Sequence, residues 1–165
     1  MKPYEIVAAP FTLYIAPLGT AFPDIDEAPS GSWKKIGTSG DRSESEEGVT
    51  VAHSQEVSEV RTAGSTGPVK AFRTSEGLVI SLTLLDISLE QYANALNGNA
   101  VSTTAAGVGS AGFKALSLYQ GLDVTPLALL VRGVSAYGDG WTAQYEVPAC
   151  FQSGAPELVF TKGEP

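Results

Sequence analysis

Between Ser58 and Asn97 the chain passes from strand patterns to one capped helix with no catalytic motif on the way, and that succession limits its fold more than any other feature. Leu78, Ile80, Leu82 and Leu84 alternate with Val79, Ser81, Thr83 and Leu85, the period of two of a strand with one strongly apolar face. Ser88 then starts a helix. In the run Ser88-Leu89-Glu90-Gln91 the Ser hydroxyl can accept from the Gln91 amide and the Gln91 side chain can reach back, which is a capping box. Leu89, Tyr92, Ala93 and Leu96 make an apolar stripe, with Glu90, Gln91 and Asn94 facing away. Asn97-Gly98 closes the helix, because Gly accepts the left-handed conformation that ends it.

Upstream of Leu78 lies a second signal. Ser54 to Thr62 is compatible with a strand yet polar on both faces, with Glu56 and Ser58 on one side and Glu59 and Arg61 on the other. Ala63 to Pro68 holds two glycines and a proline, a turn composition, and Val69 to Glu76 follows as another polar strand. Together these predict a long polar hairpin. An isolated two-stranded ribbon is marginal in water, so pairing with another subunit is the expected reason for it.

The remainder reads as short strands joined by turns. Phe11 to Ala16 is predicted as a strand; Glu5, Pro10 and Pro17 interrupt the apolar start that would otherwise imitate a signal peptide. Pro17 to Ser32 is a surface arm, Trp33 opens the short piece WKKIG, and Thr38 to Gly48 is an acidic loop expected to be solvated and mobile. Val49 and Val51 begin another strand. Ala100 to Thr104 is a short strand, Ala105 to Gly112 a connection, and Leu116 and Leu118 alternate with polar neighbours. Leu127 to Val134 is nearly continuous apolar sequence and is predicted to be the most buried strand. Trp141 to Cys150 returns as a strand that Pro148 places at an edge or bulge, and Glu157 to Thr161 is a last apolar strand. At 165 residues this is one domain, 1–165, mainly β.

Composition removes several function classes. A net charge of −8 argues against a protein that reads nucleic-acid sequence, which needs basic patches on phosphates. No run approaches the roughly 20 apolar residues that span a bilayer. One cysteine, Cys150, excludes an internal disulfide and fits synthesis in a reducing cytoplasm. His53 is the one histidine, so a triad would need it with Cys150 or a serine, and neither a nucleophile elbow nor a papain-like context is present. We expect no enzyme, no cofactor and no metal. Asp24 with Asp26, and Asp41 with Glu44, Glu46 and Glu47, lack the glycine and closing glutamate of a calcium loop. Trp33, Trp141, Tyr92, Phe72 and Phe113 lack interleaved basic residues for a stacking platform and are expected in core or subunit contacts.

In order and spacing, APLGTAFP from Ala16 to Pro23, SWKKIGTSG from Ser32 to Gly40, EEGVTVAHSQEVSEVRTAGSTGPVKAFRTSE from Glu46 to Glu76, LTLLDISLEQYANALNGNAV from Leu82 to Val101 and LALLVRG from Leu127 to Gly133 resemble the major tail tube proteins of long-tailed bacteriophages. The resemblance covers nearly the whole chain. It implies a β-sandwich or half-barrel with one flanking helix, self-assembled as hexameric rings that stack into a hollow virion tail tube. DNA would pass through it without specific binding, tape-measure and other tail proteins would be partners, and assembly would take place in the host cytoplasm with no membrane anchor. It further implies that Glu56, Ser58, Glu59, Arg61, Lys70, Arg73, Ser81 and Thr83 line the lumen or the contacts within a ring, and that an acidic lumen keeps DNA off the wall. Asp24, Asp26, Asp41, Arg42, Glu44, Glu46 and Glu47 would then lie in loops between stacked rings. Members of that family usually carry a strand after the turn that corresponds to Lys162-Gly163; the sequence to Pro165 either ends irregularly or lacks that final strand, and with the strand absent the sheet would be completed by a neighbour or keep an open edge.

Two other readings fit the same residues. One is a different virion β-sandwich, a tail terminator, joining or decoration protein. The other is a carbohydrate-binding β-sandwich with Trp33 or Trp141 in an open groove.

Overall fold

The computed structural model describes residues 11–86, 88–135, 137 and 140–158. The fold is mainly β with one helix, as the sequence predicts, and its strands form three antiparallel sheets. The largest places β1 (Thr12–Pro17) between β2 (Lys34–Lys35) and β7 (Leu127–Val134), with β8 (Thr142–Cys150) beyond β7. Among the described residues β3 (Thr50–Val60) pairs only with β4 (Lys70–Ser81), and β5 (Val101–Thr104) only with β6 (Phe113–Leu116).

β7 is the most buried strand because it is central and covered on both faces. Leu13, Leu129 and Val131 point to one side of the sheet, where Val49, Ile80 and Leu82 from the root of the β3–β4 ribbon close over them. Ala16, Ala128 and Leu130 point to the other, under Trp33 and Phe22. Leu130 is 0% exposed. Trp33, 8% exposed, packs on Phe22 and donates its indole N–H to the Ala21 carbonyl at 3.0 Å, so it is core beneath the arm and not a residue of an open groove.

Two residues inside this sheet have specific tasks. Gly133 passes under the Phe11 ring so closely that a Cβ there would lie 2.6 Å from it. Arg132 turns out of β7 to hold the arm: it donates to Gln144 Oε1 at 2.9 Å, to the Asp24 carbonyl at 3.0 Å and to the Glu27 carbonyl, while Gln144 Nε2 donates to the Pro23 carbonyl at 3.0 Å. A guanidinium satisfies several arm carbonyls at once, since its five donors fan out from one plane. At β8 the register slips between Leu127 and Leu129, placing Pro148 and Ala149 opposite Ala128. Pro148 therefore sits at both an edge and a bulge, where its missing N–H costs no ladder bond.

The helix α1 (Leu89–Ala95) has Ser88 as its N-cap, whose hydroxyl accepts from the Gln91 amide at 3.3 Å. Ala93 and Leu96 are its buried residues, Tyr92 is half-buried and Leu89 more exposed. Gln91 and Asn94 are half-buried too, instead of facing solvent, and the Gln91 side-chain oxygen has no hydrogen-bond partner among the described residues, so of the capping box only the Ser88 half forms. α1 lies beside β5 and β6, joined to β6 by the Glu90–Lys114 ion pair, which holds the Glu90 carboxyl below its usual range.

Several expectations are corrected. Val69 to Glu76 and the alternating run from Leu78 onward are not two strands: β4 continues through both to Ser81, because Gly77 opposite Ser54 lets the pairing run on. The strand predicted around Leu116 and Leu118 ends at Leu116, leaving Leu118 and Tyr119 exposed. Glu157 and Leu158 are not in a strand, and the rest of that predicted strand, like residues 1–10, lies outside the described residues.

The acidic loop is tied down. Gly40–Ser43 forms a 3-10 turn, Ser45 N–H donates to the Thr83 carbonyl at 2.9 Å, and Leu85 N–H donates to the Ser43 carbonyl at 2.8 Å. Glu44 bridges to Leu84 and is buried with Ser43, so it cannot serve as a solvated contact between rings. Beside it Asp86 accepts from the Thr38 amide at 2.8 Å and from the Thr38 hydroxyl. Desolvation pushes the Asp86 carboxyl up, but its hydrogen bonds with Thr38 and Ser43 outweigh that and hold it below its ordinary value.

Candidate functional site on the hairpin ribbon

The β3–β4 ribbon is the candidate site because its exposure is abnormal. All of β3 is exposed, and in β4 only Gly77 and Ile80 are half-buried. Strand-forming residues explain the pairing itself, since Val51, Val57, Val60, Phe72 and Val79 suit a pleated backbone. They leave its stability unexplained. Val57 is 51% and Phe72 48% exposed, and their rings and methyls face solvent on opposite sides of the ribbon.

The register fixes those sides. Val51↔Ile80, His53↔Leu78, Gln55↔Glu76 and Val57↔Arg73 define one face, continued by Glu59 and Ala71. Thr50↔Ser81, Ala52↔Val79, Ser54↔Gly77, Glu56↔Ser75, Ser58↔Phe72 and Val60↔Lys70 define the other. A bulge between Glu56 and Val57 leaves Thr74 as the extra residue, and its hydroxyl donates to the Glu56 carbonyl at 3.2 Å. The bulge adds local twist to the ribbon.

The predicted lumen residues therefore do not share one surface. Glu56, Ser58, Lys70 and Ser81 lie on one face and Glu59 and Arg73 on the other, with Arg61 bound to Glu59. Thr83 lies past the end of β4, where its carbonyl receives Ser45. A two-stranded ribbon could show only one of these sets to a channel, because alternate strand residues point oppositely.

Nor is the ribbon acidic. Glu56, Glu59 and Glu76 are matched by Arg61, Lys70 and Arg73 between Thr50 and Ser81. Arg61 pairs with Glu59 at 2.7 Å, Arg73 pairs with Glu76 at 3.2 Å and donates to Gln55 at 3.0 Å, and the Lys70 ammonium stands 4.7 Å over the Phe72 ring. The negative excess is carried by the rest of the chain. Asp24, Asp26, Arg42, Glu46 and Glu47 are exposed, and Asp41 lies in the 3-10 turn.

Elsewhere the chemistry is sparse. Among the described residues no group of three or more acidic, His or Cys side chains could hold a metal, and no helix is long and apolar enough to cross a membrane. His53 is exposed on β3, far along the chain and in a separate sheet from Cys150. Cys150 is half-buried against the Leu127 carbonyl, and desolvation raises its thiol. Trp141 is 65% exposed at the start of β8. No family model matches the chain, and neither a curated protein nor a solved structure matches it.

Sequence reading missed the Arg132 clasp and the Asp86–Thr38 contact. A lone arginine in the apolar run LALLVRGV was the available sign of the first; the second joins residues 48 apart and left no local sign.

Proposed function

We propose that this protein is a structural subunit that self-assembles through the β3–β4 ribbon, and that it builds stacked hexameric rings of a phage tail tube. The observation that carries self-assembly is the ribbon itself: two long strands, exposed on both faces, with both outer edges unpaired among the described residues and apolar side chains on each side. Such a ribbon is marginal alone and its edges invite further pairing. The ring and tube rest on the resemblance in order and spacing described above.

The charge distribution refines one part of this reading. Since the ribbon is neutral, negative charge that keeps DNA from adhering comes from outside it, where Asp24 and Asp26 of the arm, Glu46 and Glu47 of the 40–48 loop, and Asp123, Glu146 and Glu157 are exposed. A tail terminator, joining or decoration protein would share the fold but would not stack without limit.

Negative-stain electron microscopy of the purified chain across a salt series tests the proposal. Rings or tubes are expected, strengthening as salt screens the net charge of −8. Val57→Asp combined with Phe72→Asp should keep the monomer fold by circular dichroism and lose the rings. Monomers at every salt concentration would overturn self-assembly; rings that survive the double substitution would overturn the role of the ribbon.

A further inference from the structure

The end of α1 holds a chemically labile dipeptide inside a clasp. Asn97 takes a left-handed conformation, φ 61°, which few non-glycine residues adopt, and it is followed by Gly98 at φ 71°. Its side-chain amide donates to the Gln120 carbonyl at 3.2 Å and to the Asp123 carbonyl at 2.9 Å, and its oxygen accepts from the Thr125 amide at 2.7 Å. Asn99 grips the preceding stretch, donating to the Ser117 and Tyr119 carbonyls at 2.8 and 3.0 Å. Between these anchors the segment 117–125 is wholly exposed and carries Leu118, Tyr119, Leu122 and Val124, with Leu122 97% exposed. Three hydrogen bonds from one side chain are what keep its second half in place.

We infer that Asn97-Gly98 is a deamidation site that the fold keeps closed, and that its conversion releases residues 120–125. Glycine after asparagine leaves the next backbone nitrogen unhindered by a Cβ. In the reaction the Gly98 nitrogen loses its proton to solvent base and attacks Asn97 Cγ; the new C–N bond forms as the amide nitrogen leaves as ammonia. Water then opens the succinimide to aspartate or isoaspartate, so no oxidant or cofactor is needed. In the folded chain the Gly98 N–H is donated to the Ala93 carbonyl at 2.9 Å, and both ends of the Asn97 amide are engaged. Attack requires those bonds to open together.

The product cannot rebuild the clasp. A carboxylate has only acceptors, so an oxygen would replace the two N–H groups now aimed at Gln120 and Asp123 carbonyls. Like poles at hydrogen-bond distance repel. Asn99 is untouched, so release is confined to 120–125 and spares 117–119.

The test is peptide mass mapping of the full chain held at mildly alkaline pH, folded and in urea side by side, with hydrogen exchange of the aged folded sample. Deamidation of Asn97 at least about tenfold slower in the folded chain is expected, as for a reaction gated by local opening. Exchange at Thr125 and across 120–125 should rise in the converted fraction and in Asn97→Asp, with Ser117 to Tyr119 unchanged. Equal rates in folded and unfolded chain would overturn the closed site. Unchanged exchange across 120–125 in the converted protein would overturn the release.

Discussion

β7 and β3 are both long strands that carry valines, yet β7, nearly all apolar, is the centre of the molecule and β3, mostly polar apart from Val51, Ala52, Val57 and Val60, is exposed from end to end. The difference does not lie in strand propensity. β7 has neighbours on both edges and layers on both faces, the arm on one side and the ribbon root on the other. Among the described residues β3 has one neighbour and, beyond its root, no covering layer. Apolar residues in β7 stabilise the monomer; those in β3 are left for another surface. The same amino-acid type thus contributes to folding in one place and to association in the other.

Substitution of one apolar residue in each region gives the widest separation. Leu130→Ala should lower unfolding stability by about 2–5 kcal/mol in urea titrations, as for a fully buried leucine that leaves a cavity. Val57→Ala should change it by less than about 0.5 kcal/mol, and a loss as large as that of Leu130→Ala would mean the ribbon is part of the monomer core. Glycines repeat the contrast at smaller size. Gly133→Ala, forced against Phe11, should cost about 1–3 kcal/mol, whereas Gly67→Ala at the ribbon tip meets nothing within 4 Å and should be nearly neutral by thermal melting.

α1 sits between these regions in sequence and has its own local support. Ser88→Ala should cost about 1 kcal/mol through loss of the cap to Gln91, read in the same melts, with Thr or Asp at this position restoring most of it. The smallest effect is at Asp86, which follows β4 and binds Thr38 just after β2, tying ribbon to sheet. Its carboxyl is lowered in the fold, so its contribution is present above the unfolded carboxylate range and is lost as pH falls through the lower folded value. Asp86→Asn should flatten the acid limb of a stability–pH curve by less than about 1 kcal/mol, because the group is partly solvated. An unchanged limb would remove Asp86 as the tie.

Much of this architecture was readable in advance because its signals are local. The S-L-E-Q cap needs only four residues, the AGSTGP turn only six, and the run from Leu127 to Val134 declares its burial by having almost no polar face. The two-sided polarity of Ser54 to Thr62 likewise announced a strand without a core. Where reading failed, a distant partner decided. The loop around Glu44 looks solvated throughout by composition, but pairing with Thr83, Leu84 and Leu85 buries Ser43 and Glu44 within it. Alternation placed residues on faces correctly within each strand, yet only the cross-strand register and the bulge at Glu56–Val57 showed that Lys70 joins Ser58 and Arg73 joins Glu59 on opposite sides.

By itself the sequence determined that the chain is mainly β with one short capped helix, that one strand is buried and that one ribbon is not, because periodicity and capping act over a few residues. Tertiary structure alone decided how Arg132 fastens the arm and how Asn97 fixes residues 120–125. Those contacts join groups far apart in the chain, and a hydrogen bond or ion pair depends on where the backbone brings two groups, which no spacing along one strand or helix encodes.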